Sequence, residues 1–272
     1  MSFIIILRGG GDLASGVAVR LYRAGLRVAI TELPQPQAVR RLVSFAEAVY
    51  TGETVVEGIT GKRVTDPGDT LQVLRVFAKK QIPVLVDPDF QALGALHPTV
   101  VIDGRMNKRP PKLGLQQASL VIGLGPGFEA GVNSHAVVET KRGHRLGRVI
   151  WKGLPEADTG VPESVDKHGN DRVLRAPADG ILVARKEICD RIEEGEVVAE
   201  VAGLPIQASF TGILRGLLHT GLPVTKGMKI GDIDPRDDPS FCNLVSDKAL
   251  AIGGGVLEAI FSRPDLRPLL WT

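Results

Sequence analysis

Apolar residues fill positions 3–7 and stop at three glycines, Gly9, Gly10 and Gly11, one residue after Arg8. A short apolar run without alternation, closed by a turn signal, reads as a strand buried on both faces. Behind it, apolar residues at 13, 17, 21 and 24 recur at helical spacing, and Gly25 stands where a helix commonly ends. Residues 27–31 read as a second strand closing on Glu32. This is a βαβ unit of about 30 residues, and a right-handed crossover lays its two strands side by side.

The alternation continues. Residues 34–41 read as a short helix and 54–64 as a hairpin around Gly58 and Gly61. Residues 69–80 read as a helix with Leu71, Leu74, Phe77 and Ala78 on one face. Strands follow at 83–86, 99–102 and 119–124, running into Asp87-Pro88, Asp103 and Gly125-Pro126-Gly127. Later strands fall at 136–139 and 148–151. Strands alternating with helices predict an α/β sheet. Residues 153–173 are rich in Gly, Pro, Asp and Glu, have no period and read as a linker. The last 35 or so residues return to a helix, capped by Ser246 with Asp247 in its first turn. Gly253-Gly254-Gly255 inside that helix costs about 1 kcal/mol per residue relative to alanine. Such a run predicts a close contact with another helix or with a bound molecule.

Between these regions the chain repeats itself at a spacing of 32 residues. Ala176, Gly180, Ile181, Leu182, Gly195, Val198 and Val201 return as Ala208, Gly212, Ile213, Leu214, Gly227, Ile230 and Ile233. Two interlocked copies of this kind resemble the barrel-sandwich hybrid of biotinyl and lipoyl carriers. Those carriers place a modifiable lysine on the hairpin joining the copies. Here that segment is Ala202-Gly203-Leu204-Pro205-Ile206-Gln207, so covalent biotin or lipoate is not expected. The expected fold is therefore α/β: a Rossmann-like domain at 1–153, a small all-β barrel-sandwich hybrid domain at 174–235, and a C-terminal helical segment at 236–272 packing back on the α/β domain.

Composition narrows the function. Aromatic residues make up 4% of the 272, too few for single-strand stacking platforms, and 33 basic residues nearly balance 31 acidic ones. Nucleic acid is not an expected partner. Two cysteines supply neither a disulfide framework nor a four-cysteine zinc site. The opening apolar run is shorter than a signal peptide needs, and no stretch approaches the roughly 18 apolar residues of a membrane span. The expectation is a cytoplasmic protein without a membrane partner.

Three constellations could carry chemistry. Gly9, Gly11 and Ala14 fit the dinucleotide fingerprint, with a strand before, a helix after, and Glu32 ending the next strand. Gly10 and Gly11 would let backbone approach a pyrophosphate at the helix start, and Glu32 would accept from ribose hydroxyls. Asp12 sits badly in this scheme, because an acid at the phosphate-facing helix start repels phosphate unless it turns away. The bland alternative is a glycine turn that only packs strand on helix.

Asp87, Asp103, Lys108, Gly125 and Gly127 follow strand ends, where open α/β sheets bind ligands. Each aspartate could equally cap a turn. His135 and Glu139 would share a strand face about 13 Å apart, too far to chelate one metal, so no metal site is expected. Lys141, Arg142 and His144 could bind an anion or form a solvated basic hairpin. Cys242, close before the C-terminal helix, could be reactive or simply buried. P-loop, zincin and nucleophile-elbow motifs are absent.

Blocks 8–21, 44–50, 123–128, 142–148, 172–180 and 246–259 resemble the YqeB-type proteins, accessory proteins of the selenium-dependent molybdenum hydroxylase system. The N-terminal part is similar to the Rossmann-like domain of XdhC-type chaperones, which hold molybdenum cofactor. The resemblance implies a maturation factor that binds an anionic nucleotide-like cofactor, molybdenum cofactor or an NAD-like dinucleotide, without a covalent bond. It also implies a molybdenum hydroxylase as client, with self-association possible. It transfers no catalytic residue. The rival readings are an NAD-dependent oxidoreductase, with His135 or Lys108 moving a proton, and a non-catalytic scaffold.

Overall fold

The computed structural model describes residues 3–107, 109–111, 114–157 and 169–270. The chain divides into two compact units. The first comprises Met1–Pro36, Ser44–Asp158 and Val245–Thr272, and the second Gln37–Val43 and Thr159–Leu244.

The first unit is built on β1 (Ile4–Arg8), α1 (Asp12–Arg23) and β2 (Arg27–Glu32), followed by a short α2 (Ala48–Thr51). Then come β3 (Glu53–Val56), β4 (Ile59–Val64), α3 (Thr70–Ala78), β5 (Ile82–Val86), α4 (Ala92–Leu96) and β6 (Val100–Asp103). The strands β7 (Leu120–Leu124), β8 (Ala136–Val138) and β9 (Val149–Ile150) complete one nine-stranded sheet, in the order β3-β4-β5-β2-β1-β6-β7-β8-β9. Strands β4 to β8 in that spatial order run parallel, while β3 and β9 add antiparallel edges. All five residues of β1 and of β7 are buried, which is why both read as unbroken apolar runs.

On one face, Ile6, Ala29, Leu85 and Val101 pack with Val73 and Val76 of α3 and with Phe90, Ala92 and Leu96. α1 packs with α5 (Asp247–Phe261), which also meets β7, β8 and β9. Ser246 caps α5 by accepting from the Ala249 amide at 3.1 Å. The glycine run in α5 is now explained at two of its three positions. A Cβ on Gly253 would lie 2.7 Å from Arg20 Cγ of α1, and one on Gly255 would lie 2.1 Å from the Gly147 carbonyl oxygen. Gly16 of α1 is equally tight, 2.5 Å from Ala249 Cβ. Gly254 is exposed and meets nothing. The contact is therefore with another helix and a loop.

The second unit holds β10 (Val173–Arg175), β11 (Gly180–Ala184), β12 (Arg191–Ile192), β13 (Val197–Val201), β14 (Leu204–Gln207), β15 (Gly212–Leu217), β16 (Pro223–Val224) and β17 (Lys229–Asp234). They form two four-stranded antiparallel sheets, β10-β17-β15-β12 and β14-β13-β11-β16. The 32-residue repeat appears in the hydrogen bonds. Gly227 donates to the Ala176 carbonyl at 2.8 Å, and its equivalent Gly195 donates to the Ala208 carbonyl at 2.9 Å. Ala176 donates to Met228, and Ala208 to Glu196. Each copy thus closes the turn of the other. Leu174, Leu182, Val198, Val201, Leu214, Ile230 and Ile233 form their shared core.

The expected layout, a Rossmann-like domain followed by a barrel-sandwich hybrid domain and a helix, is corrected by this topology. The large sheet is mixed, not uniformly parallel, and among the described residues β6 passes to β7 and β7 to β8 without an α-helix. Pro110 and Pro111 interrupt the first of those connections, where a crossover helix would need free amides. The second unit is a pair of antiparallel sheets that also takes in residues 37–43, where Val39 lies against Gly216. The helix expected at 34–41 does not form; only a single 3-10 turn occurs, at Arg41–Val43. Most of the segment read as a linker lies outside the described residues.

Candidate functional site

The carboxyl ends of β1 and β6 meet in register, with Arg8 opposite Asp103. Parallel pairing of neighbouring strands puts such partners on one face, and here both are the last residue of their strand. Both are nearly buried. The Arg8 guanidinium lies 3.6 Å from Asp103 Oδ2 and stacks on the Phe90 ring at 4.1 Å to its centre. Arg105 grips the same carboxylate more tightly. Its Nε donates to Oδ1 at 3.0 Å, its second guanidinium nitrogen to Oδ2 at 2.6 Å, and its amide to Oδ1 at 3.2 Å. Two guanidiniums therefore share one carboxylate. Burial, and next the charge of Arg105, lower the Arg8 pKa; Asp103 and Asp87 oppose the shift.

These groups line a cavity of about 660 Å³. That volume is within the ~300–1,000 Å³ usual for small-molecule sites. Among the described lining residues Arg109 and Asp89 add one charge of each sign to Arg8, Arg105 and Asp103, and Asp87 lies within electrostatic reach of Arg8. Pro88, Phe90, Pro110, Pro111 and Phe128 supply apolar wall. Two wall-forming loops hold side-chain-bearing residues at positive φ, Phe90 at 60° and Met106 at 55°. Backbone of this kind is costly, about 1–3 kcal/mol each, and clusters at functional sites.

The residues singled out in the sequence divide sharply. Gly9 lies beside this cavity, where a Cβ would reach Arg105 at 3.4 Å. Its amide, however, donates to the Thr31 carbonyl at 2.8 Å. The Gly10 amide donates to Glu32 Oε2 at 2.7 Å, and the Leu33 amide to Oε1 at 2.8 Å. Glu32 therefore fills the glycine turn with its own carboxylate. Burial raises its pKa against the lowering effect of those two amide bonds. Gly10 also packs closely, its added Cβ falling 2.9 Å from the Ala46 amide nitrogen. Gly11 starts α1 without a side-chain cap, Asp12 occupies the first turn, and Ala14 is buried next to Gly104.

Asp87 accepts the amides of Gln91 and Ala92 at 2.8 and 2.9 Å, and its charge still reaches Arg8. Gly125 and Gly127 serve close packing: an added Cβ would sit 2.2 Å from Thr140 Oγ1 and 2.8 Å from the Arg109 carbonyl oxygen. His135 is placed at the opposite end of the sheet, its Nδ1 accepting from Val121, near the start of β7. Burial, then Arg263, lowers its pKa. Arg142 pairs with Asp247 at the start of α5, and Lys141 with Glu156 at 2.9 Å. Lys108 lies outside the described residues. Among the described residues no group of three or more His, Cys, Asp or Glu is arranged to hold a metal. No helix among them is long and apolar enough to cross a membrane.

Sequence reasoning missed Arg8, Arg105 and Phe90, while the loop Gly125-Pro126-Gly127-Phe128 was among its candidates and Phe128 lines the cavity. The signal for Arg8 was present: a cation closing an otherwise apolar strand must be buried or face a ligand. Phe128 followed from Gly123, whose absent side chain makes room for its ring, an added Cβ falling 2.0 Å from it.

No protein-family model matches the chain. Several solved structures are faintly similar. An aspartoacylase family protein from Mesorhizobium loti is 13% identical, with 86% of this chain and 85% of that one covered, at a TM-score of 0.27. A succinylglutamate desuccinylase/aspartoacylase from Rhodobacter sphaeroides is 16% identical, with 87% of each chain covered, at a TM-score of 0.26. Likeness this slight carries no argument about activity. The uncharacterized protein YqeB of Escherichia coli (strain K12) is 45% identical over 257 residues, covering 94% of this chain and 47% of YqeB. The chain is thus a relative of YqeB and spans about half the length of that protein.

Proposed function

We propose that this YqeB-type chain is an accessory factor that holds an anionic, cofactor-sized molecule in the cavity at the ends of β1 and β6. The observation that carries this reading is the sharing of Asp103 by Arg8 and Arg105 at the cavity wall. Arg8, Arg105 and Arg109 converge on the cavity wall, so a ligand's phosphate or carboxylate would meet three guanidiniums in a partly desolvated place. Arg8 is already oriented by Phe90, so little side-chain freedom remains to be lost on binding. The aromatic and proline walls suit a flat, partly apolar body attached to the charged group.

Molybdenum cofactor, a pterin with a phosphate or dinucleotide tail, fits that description in charge and form. The client would then be a selenium-dependent molybdenum hydroxylase, as the resemblance to YqeB-type proteins implies. The anchor in this reading is the arginine pair; the glycine turn supports the cavity rim beside Arg105. Titration of the full chain with molybdenum cofactor released from a hydroxylase tests it. Saturable one-to-one binding that Arg8→Met weakens at least tenfold is expected. Failure of the wild-type chain to bind would overturn the ligand, and equal binding by Arg8→Met would overturn the location.

A further inference from the structure

The repeat in the second unit extends to one position where the two copies choose different residues. The Gly221 amide donates to the Leu182 carbonyl at 2.8 Å. Thirty-two residues earlier, the Cys189 amide donates to the Leu214 carbonyl at 2.9 Å, and Leu182 and Leu214 are themselves repeat equivalents. Gly221 has φ +89° and Cys189 φ +82°. The position thus requires a left-handed backbone in both copies. The second copy meets the requirement with glycine, which adopts it without strain. The first carries a cysteine there at a cost in backbone strain.

The chain's other cysteine, Cys242, ends the single-turn helix Pro239–Cys242. Its Sγ lies 3.8 Å from the same Leu214 carbonyl oxygen that receives the Cys189 amide. The Cys189 backbone and the Cys242 thiol thus converge on one carbonyl, and burial first, then Cys189, pushes the Cys242 pKa up to about 12. Cys242 is buried and Cys189 half-buried. We infer that Cys189 and Cys242 are a redox pair, closing to a reversible disulfide that ties the loop 185–190 to the turn 239–242, with a small-molecule disulfide as oxidant.

Cys189 is the more accessible sulfur and reacts first. Its thiolate attacks the small disulfide and a mixed disulfide forms. One small thiolate leaves and takes up the proton that Cys189 released. The Cys242 sulfur then attacks the Cys189 sulfur, and its proton goes to the second departing thiolate. Two protein thiols are oxidised to one disulfide, and one small disulfide is reduced to two thiols. The high pKa of Cys242 makes the second step the slow one near neutrality and faster as pH rises.

The test is incubation of the full chain with oxidised glutathione at mildly alkaline pH, followed by non-reducing peptide mapping. The expected product is a Cys189–Cys242 linked peptide, an intact mass lower by two hydrogens, and a higher melting temperature, all reversed by dithiothreitol. Cys189→Gly, which copies the second repeat, is expected to melt no lower than the reduced wild type and to show no linked peptide. Glutathione remaining on Cys189 without cross-linking would overturn the pairing. A Cys189→Gly protein that melts below the reduced wild type would overturn it as well, because Cys189 would then be a packing residue.

Discussion

In the second unit the fully buried carboxylates of Asp232 and Asp234 face Arg172 and Arg215, which are only slightly exposed. Arg215 bridges both aspartates, Arg172 bonds Asp232 at 2.6 Å, and Lys229 and Arg236 add contacts from the rim. In the first unit one carboxylate, Asp103, serves both Arg8 and Arg105 beside a cavity. The same residue types close on one another around two fully buried carboxylates in one place and border a cavity in the other. Where the charges are buried among themselves, removing one partner strands the rest. Where they border a cavity, a ligand can join them as a further partner.

The largest effect is expected from Asp232→Asn. It leaves Arg172 and Arg215 buried with a missing partner and should lower unfolding free energy by about 3–5 kcal/mol, read from urea titration. Loss below about 1 kcal/mol would erase the contrast with the cavity.

Arg8→Met sharpens the other side. Asp103 keeps Arg105, so stability should change by no more than about 1 kcal/mol. Anion affinity should fall about ten- to hundredfold, as expected for a charged hydrogen bond of ~1.5–3 kcal/mol.

The two units should also separate by pH. Burial disfavours ionised Asp232, but Lys229, Arg215 and Arg172 prevail and hold it below the usual carboxylate range; Asp234 behaves likewise, chiefly through Arg236 and Arg215. Their stabilising contribution is present above the unfolded pKa and is lost as pH falls through the folded value. Glu32 has the opposite sign. Its raised pKa means the folded chain binds the proton more tightly, so its contribution is present at low pH and lost as pH rises from the ordinary carboxylate range through the raised value. Glu32→Gln should flatten that part of the melting-temperature profile and leave the acid limb unchanged.

The smallest effect serves as a control outside both clusters. Gly254→Ala should stabilise α5 by up to about 1 kcal/mol without altering anion binding, whereas Gly255→Ala should destabilise it against the Gly147 carbonyl.

The strands of the large sheet were legible because burial on both faces writes them as apolar runs: 3–7 was read and Ile4–Arg8 is observed, and 119–124 became Leu120–Leu124. The helix at 69–80 and the Ser246 cap were legible from spacing and side-chain chemistry. The short α4 was missed, since five residues hold too little of a period. Layout was misread because a glycine turn between strand and helix specifies only a local unit, while the antiparallel edges and the helix-free connections depend on long-range pairing. At the site, Asp103 and Gly9 were found by their places after strands. Arg105 was not, because its role depends on which carboxylate it reaches. Glu32 was noticed for its position, yet its bond to Gly10 could not be read from spacing.

Isothermal titration with inorganic pyrophosphate, comparing wild-type chain with Arg8→Met, probes the arginine-lined cavity most directly. The account predicts one saturable, salt-sensitive site in the wild type and at least tenfold weaker binding in the variant. No binding to the wild type, or equal binding by both proteins, would contradict it.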